Sequence, residues 1–219
     1  MKFHIISNNL GFILAAALTT IKITIISFLL GLVLAVIIGT IRYEKPPKFL
    51  EVILNVYIEI FRGTPLLIQL FFIYYGLPTI GIKMSSFVAA IFGLALNSAA
   101  YMSEIIRAAM LSVDKGQREA SYVLGYNRIQ SLIYIIYPQA MRIAIPSLMN
   151  SFSSLLKESS LVSSLAITEL TRSGQLIYTR TYRAFEIYLT LGVLYFCMTY
   201  SVSLISKKIE KKINNIYQN

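Results

Sequence analysis

The stretch ITIISFLLGLVLAVIIGTI at residues 23–41 contains no Asp, Glu, Lys or Arg across 19 positions. A helix of about 20 such residues crosses the roughly 30 Å hydrocarbon core of a bilayer. One such stretch is ambiguous, because periodicity does not separate a buried helix from a lipid-facing one. Here the pattern recurs. Residues 63–82, 84–103 and 187–206 are equally free of those four residue types, and residues 143–168 match them except at Lys157-Glu158. Length and repetition together predict an all-α membrane protein with five transmembrane helices.

Composition agrees. Of 219 residues, 56% are hydrophobic and 14% charged, whereas soluble domains carry about 25% charged residues. The net charge of +10 would suggest nucleic acid on a soluble chain; on an apolar one it reflects cytoplasmic loops. Five spans put the termini on opposite sides. The segments near Arg42, Arg107 and Lys207 then carry most of the Lys and Arg, and those near Lys22, Lys83 and Arg172 carry few. The positive-inside rule sets the amino end outside and the KKIEKK tail inside.

The catalytic inventory is thin. One His, one Cys and no Trp exclude a disulfide framework and a His/Cys metal site. Gly76 and Gly81 have P-loop separation, but Ile82 stands where the loop needs Lys. Carboxylates do not cluster, so the chain reads as a non-enzyme, and nothing suggests a nucleic-acid partner. The alternatives are a membrane scaffold without an ATPase partner and a self-sufficient secondary transporter. Such proteins show internal repeats with paired broken helices, and no segment here has a second copy.

Residues 1–22 need separate treatment. Residues 10–21 are apolar but too short to cross. Ala15-Ala16-Ala17 has an A-x-A shape, yet a single Lys precedes it and Asn8-Asn9 interrupts the approach. An amphipathic segment on the outer face is expected.

The only substantial polar stretch is residues 104–142. Asp114 followed by Gln117 has capping-box spacing and starts a helix near Lys115. Gly125 ends it, Asn127 with Gln130 repeats the start signal, and Pro138 and Pro146 punctuate the chain beyond. One reading is a solvated connector. In the other, the small Ala120 and Ser121 let a partner approach closely, with Arg118 and Glu119 supplying charge at the rim.

Glu119-Ala120-Ser121, three residues, Gly125, nine residues, Ile135, one residue and Tyr137-Pro138 resemble the EAA loop of ABC-importer permeases. Ser121 stands where that pattern has Ala, and Tyr137 where it has Leu. EIFRGTPLLIQLFFIYYGLP at 59–78, NSAAYMSEIIRAAMLSVDKGQREA at 97–120 and LLKESSLVSSLAITEL at 155–170 look like the polar amino-acid subfamily that carries histidine, glutamine, arginine or cystine. The resemblance implies a type I importer permease fold, with a transmembrane domain over 15–207 and a basic cytoplasmic tail over 208–219. It implies a bacterial cytoplasmic membrane location, a second permease subunit (self or paralogue), two ABC ATPase subunits below and an extracytoplasmic solute-binding protein outside. ATP and magnesium would sit on the ATPase, with no cofactor on this chain. Gln117, Arg118, Glu119, Ala120, Ser121, Gly125 and Pro138 would form the coupling segment. Residues 76–82, 105–117 and 182–196 look closest to the cystine-importing branch.

Ionisable groups at membrane depth cost about 2.5–3.5 kcal/mol on insertion scales and mark functional candidates. Glu158, with Ser159 and Ser160, is placed to receive an ammonium group or to organise a polar cavity; an ion pair with Lys157 or Arg62 is the alternative. Asn97-Ser98 interrupts the third span, serving substrate or interhelical hydrogen bonding, and Tyr101 lies one turn on. Glu59 and Arg62 are three apart and read as a local ion pair. Gly63-Thr64-Pro65 predicts a bend. Cys197 reads as packing, and the Lys-rich tail suits anionic lipid headgroups.

Overall fold

The computed structural model describes residues 4–217, with side chains described through Lys212. All regular structure among them is helical. α1 (His4–Asn8) leads into α2 (Leu10–Tyr43), then α3 (Lys48–Gly63), α4 (Leu66–Phe71), α5 (Ser86–Leu111), α6 (Lys115–Val123) and α7 (Arg128–Ser131). α8 (Tyr137–Glu158), α9 (Leu170–Thr181) and α10 (Ala184–Tyr217) complete the chain. Leu10–Tyr43, Ser86–Leu111, Arg128–Leu165 and Ala184–Lys212 are each long and apolar enough to span a membrane. Lys48–Gly63 and Leu66–Ile80 reach that length and apolarity only together, as a pair bent by 110° at the break, which gives four to five apolar membrane-length units.

The core is built on small residues. Along α2, Thr20, Thr24, Ser27, Gly31, Ala35 and Gly39 are buried at helical spacing, while Leu29, Leu30, Val33 and Ile37 on other faces are exposed. Hydrocarbon solvates leucine as well as protein does, so membrane helices associate through close van der Waals packing of small side chains. α5 answers with Ala95, Ala99, Ser103 and Ala109, all buried. A Cβ on Gly39 would lie 2.7 Å from the Ser103 carbonyl oxygen. α8 joins the same cluster through Ala140 and Ala144.

Three expectations change in detail. Residues 10–22 do not form a helix of their own: among the described residues His4–Asn8 is a separate short helix, and α2 runs unbroken from Leu10. At 34 residues and 1.5 Å per residue, α2 is about 51 Å long, more than the hydrocarbon needs. The second span starts well before Gly63, at Lys48, and breaks where expected. Thr64 is extended at φ −119°, ψ 148°, and Pro65 supplies no N–H to carry the helix through. The polar connection is also shorter than 104–142. Ile106 and Ile136, both 1% exposed, pull the ends of this stretch into the core, leaving residues 112–127 and α6 between the third and fourth spans.

Candidate functional site

α5 and α8 form the walls of an open cleft of about 320 Å³ lined by Asn97, Ser98, Tyr101, Asn150, Ser151, Ser154, Leu155 and Glu158. Of these eight side chains, only Leu155 is aliphatic. Glu158 lines the cavity, and among the described residues no ion pair within 4 Å joins it to Lys157 or Arg62. Ser159 and Ser160 do not line it. Ser159 is fully buried and donates to the Leu156 carbonyl at 2.8 Å, because the chain tightens into a 3₁₀ turn over Ser159–Leu165. Asn150, Ser151 and Ser154 were missed. Their signal is a polar stripe: with Glu158, Asn150, Ser151 and Ser154 recur at spacings of three and four along one face of α8.

Asn97 has two attachments. It is 5% exposed, and its amide donates to the Phe61 carbonyl at 3.0 Å and to Gln69 Oε1 at 2.9 Å. Gln69 in turn donates to the Phe61 and Thr64 carbonyls at 2.9 and 3.0 Å. Two amides thus satisfy the backbone freed at the α3–α4 break, as a break within a membrane requires. No ion pair joins Glu59 and Arg62 among the described residues. Instead the Arg62 guanidinium lies 5.3 Å over the Tyr101 ring, and the Tyr101 hydroxyl reaches the Arg62 carbonyl at 3.5 Å. The bend and the cavity wall therefore share Asn97 and Tyr101.

A buried acid went unnoticed in the sequence. Glu169, 0% exposed, caps α9 by accepting from the backbone N–H groups of Thr171 at 2.9 Å and Arg172 at 2.7 Å. Tyr195 of α10 donates to it at 3.0 Å and Thr20 of α2 at 3.4 Å. Its oxygens are consumed in holding three elements together. As an acidic N-cap its type was readable; its long-range partners were not.

At the far end of α5, Asp114 caps α6 by accepting from the Gly116 N–H at 2.7 Å. Gln117 does not complete a capping box; Gln139 donates to its Oε1 at 3.4 Å. The box forms one helix later, where Asn127 and Gln130 cap each other's backbone. Gly125 takes φ +83°, letting the Tyr126 N–H return to the Ser121 carbonyl at 3.0 Å. Ser121 is not surface: at 1% exposure its hydroxyl bonds Ser131 at 2.6 Å and locks α6 to α7. Arg118 is not a free rim charge either. It pairs with Glu44 at 3.0 Å, lies 5.4 Å over the Tyr43 ring and donates to the Tyr122 hydroxyl at 2.9 Å. Pro138 opens α8. Glu119 and Ala120 are exposed, beside Val123 at 88%, Leu124 at 75% and Ile129 at 66%. These three residues put aliphatic surface on an otherwise polar connection.

A polar cavity between apolar helices of membrane-spanning length, with no cluster of metal-ligating side chains among the described residues, is the architecture of a membrane transport protein. Residues 27–215 match the family described as binding-protein-dependent transport system inner membrane component, and the chain belongs to that family. It is 40% identical over 171 residues to a probable amino-acid ABC transporter permease protein of Vibrio harveyi, covering 77% of each chain. It is 40% identical over 166 residues to the L-cystine transport system permease protein of Bacillus subtilis, covering 75% of this chain and 71% of that one. The crystal structure of an amino acid ABC transporter with histidines superposes at a TM-score of 0.89 and 35% identity, over 97% of this chain and 99% of that one. The inward-facing MetNI methionine ABC transporter shares the fold at a TM-score of 0.79 and 20% identity.

Proposed function

We propose that this chain is the permease subunit of an ATP-driven importer for a polar amino acid, with cystine the first candidate. The observation that carries this reading is the cavity between α5 and α8. An amino acid brings an ammonium and a carboxylate, and the cavity offers the Glu158 carboxylate to the first and amide and hydroxyl donors to the second. Hydrogen-bonding groups that replace lost hydration let such a zwitterion traverse an apolar layer. Relatives named for amino-acid and cystine transport support the substrate class.

In the assembly, two permease subunits form the path. Separate ATPase subunits hold ATP and magnesium, and a solute-binding protein delivers substrate from outside. The amino end lies outside and the basic tail inside, which puts α6 and its apolar face in the cytoplasm, where the ATPase grips it. Nucleotide binding drives the cavity from one side to the other only by favouring one orientation of the spans, and α6 is where that preference enters. Glu158→Gln, with the full complex in proteoliposomes, tests the reading. Amino-acid uptake is expected to fall by about tenfold or more, as a lost charged hydrogen bond would give, with the subunits still assembled. Unchanged uptake would reject the cavity as the path.

A further inference from the structure

We propose that Glu44, in the loop between α2 and α3, is a positioning residue that makes α2 move with the coupling segment, so that the first loop belongs to the coupling machinery. This deepens the function proposed above and rests on it.

Glu44 is the C-cap of α2. Its side chain, 14% exposed, is met from both sides of Gly125: Arg118 of α6 lies 3.0 Å from Oε1 and donates to Oε2 at 3.3 Å, and Arg128 of α7 donates through Nε to Oε2, while Oε1 accepts no hydrogen bond. Arg128 also donates to the Glu44 backbone carbonyl at 2.8 Å, and Arg118 donates to the Tyr43 hydroxyl at 3.4 Å. One carboxylate thus joins the end of a 34-residue span to both short helices. α2 does not slide freely on α5. Glu104 of α5 is paired with Arg42 and with Arg107, and the Gly31 and Gly39 contacts leave no room for a Cβ. The Gly31 contact is made to Ser98, which lines the cavity. Displacement of α6 therefore reaches the cavity wall through two ion pairs and one close-packed helix. Partly exposed ion pairs contribute little to stability; this pair's effect belongs in coupling rather than in folding.

The test uses the complete complex in proteoliposomes, with Glu44→Gln, Arg128→Ala and the double variant. The expected result is normal assembly with the ATPase and unchanged basal ATP hydrolysis. Substrate-stimulated hydrolysis and uptake should fall by about fivefold or more, the lower range of coupling between sites, with the double variant no worse than the poorer single. Full stimulation in Glu44→Gln, or losses that multiply in the double variant, would overturn the proposal. Should Glu44→Gln lower membrane yield, the exchange Glu44→Arg with Arg118→Glu and Arg128→Glu decides: regained stimulation supports the clamp, and continued loss rejects it. A wild-type complex whose ATP hydrolysis ignores substrate would overturn the transport reading itself, a result obtained before any variant is made.

Discussion

Gly31 of α2 lies against Ser98 of α5 so closely that a Cβ there would sit 2.5 Å from the Ser98 hydroxyl oxygen and 3.0 Å from the Ala95 carbonyl oxygen. The rotation of one serine does not relieve both contacts. Gly31→Leu should therefore separate the two helices and cost about 1–3 kcal/mol, as overpacking does. The expected outcome is a lower melting temperature in detergent together with impaired uptake. A variant as stable as the parent would mean that α2 packs elsewhere.

Asn97 and Gln69 bind each other and the carbonyls released by the α3–α4 break. Gln69→Leu takes the side-chain donor from the Thr64 carbonyl, one of two donors from the Phe61 carbonyl and one of two acceptors from the Asn97 amide, at about 1–3 kcal/mol for a buried group left unsatisfied. Reduced thermal stability is expected alongside faster thiol labelling of a cysteine placed at Thr64, with Cys197 first replaced by serine. Labelling at the parental rate would show that the bend holds without the amide pair.

Glu169 joins α2, α9 and α10 through Thr20, its own cap and Tyr195. Glu169→Ala should destabilise the protein by more than Tyr195→Phe, because it strips a cap worth about 1 kcal/mol as well as the partners of two hydroxyls. In the double variant the tyrosine change should cost less than it does alone, since its Glu169 partner is gone and only the Thr171 hydroxyl at 3.0 Å remains. Additive losses in melting experiments would show that the two groups act separately.

Gly125, at φ +83°, closes α6. Valine there would incur the left-handed penalty of about 1–2 kcal/mol and disturb the turn that sets α6 against α7. Gly125→Val should abolish substrate-stimulated ATP hydrolysis while the protein still inserts in the membrane, read by fractionation and by ATPase assays on the purified complex. Retained stimulation would remove α6 from the coupling role. Glu119, exposed on the same helix, should behave alike when changed to Lys, through the partner contact rather than the turn.

The spans, the Gly63-Thr64-Pro65 break, the Asp114 and Asn127 caps and the Gly125 stop were legible in the sequence, because each rests on local physics: hydrocarbon thickness, a missing N–H, side-chain acceptors beside free backbone donors, and a glycine-only backbone angle. Tertiary structure decided what lies far apart along the chain. It carried α2, α5 and the fourth span beyond their apolar segments, because Ile13, Ile106 and Ile136 found partners to bury against. It sent Arg62 to Tyr101 rather than to Glu59, and Arg118 to Glu44 rather than to the surface. It turned Ser121 inward and put Asn150, Ser151 and Ser154 around Glu158, while tightening the chain at Ser159 so that the next serines face away. Residue type dictates what a group needs; only the packed helices determine which neighbour is near enough to supply it.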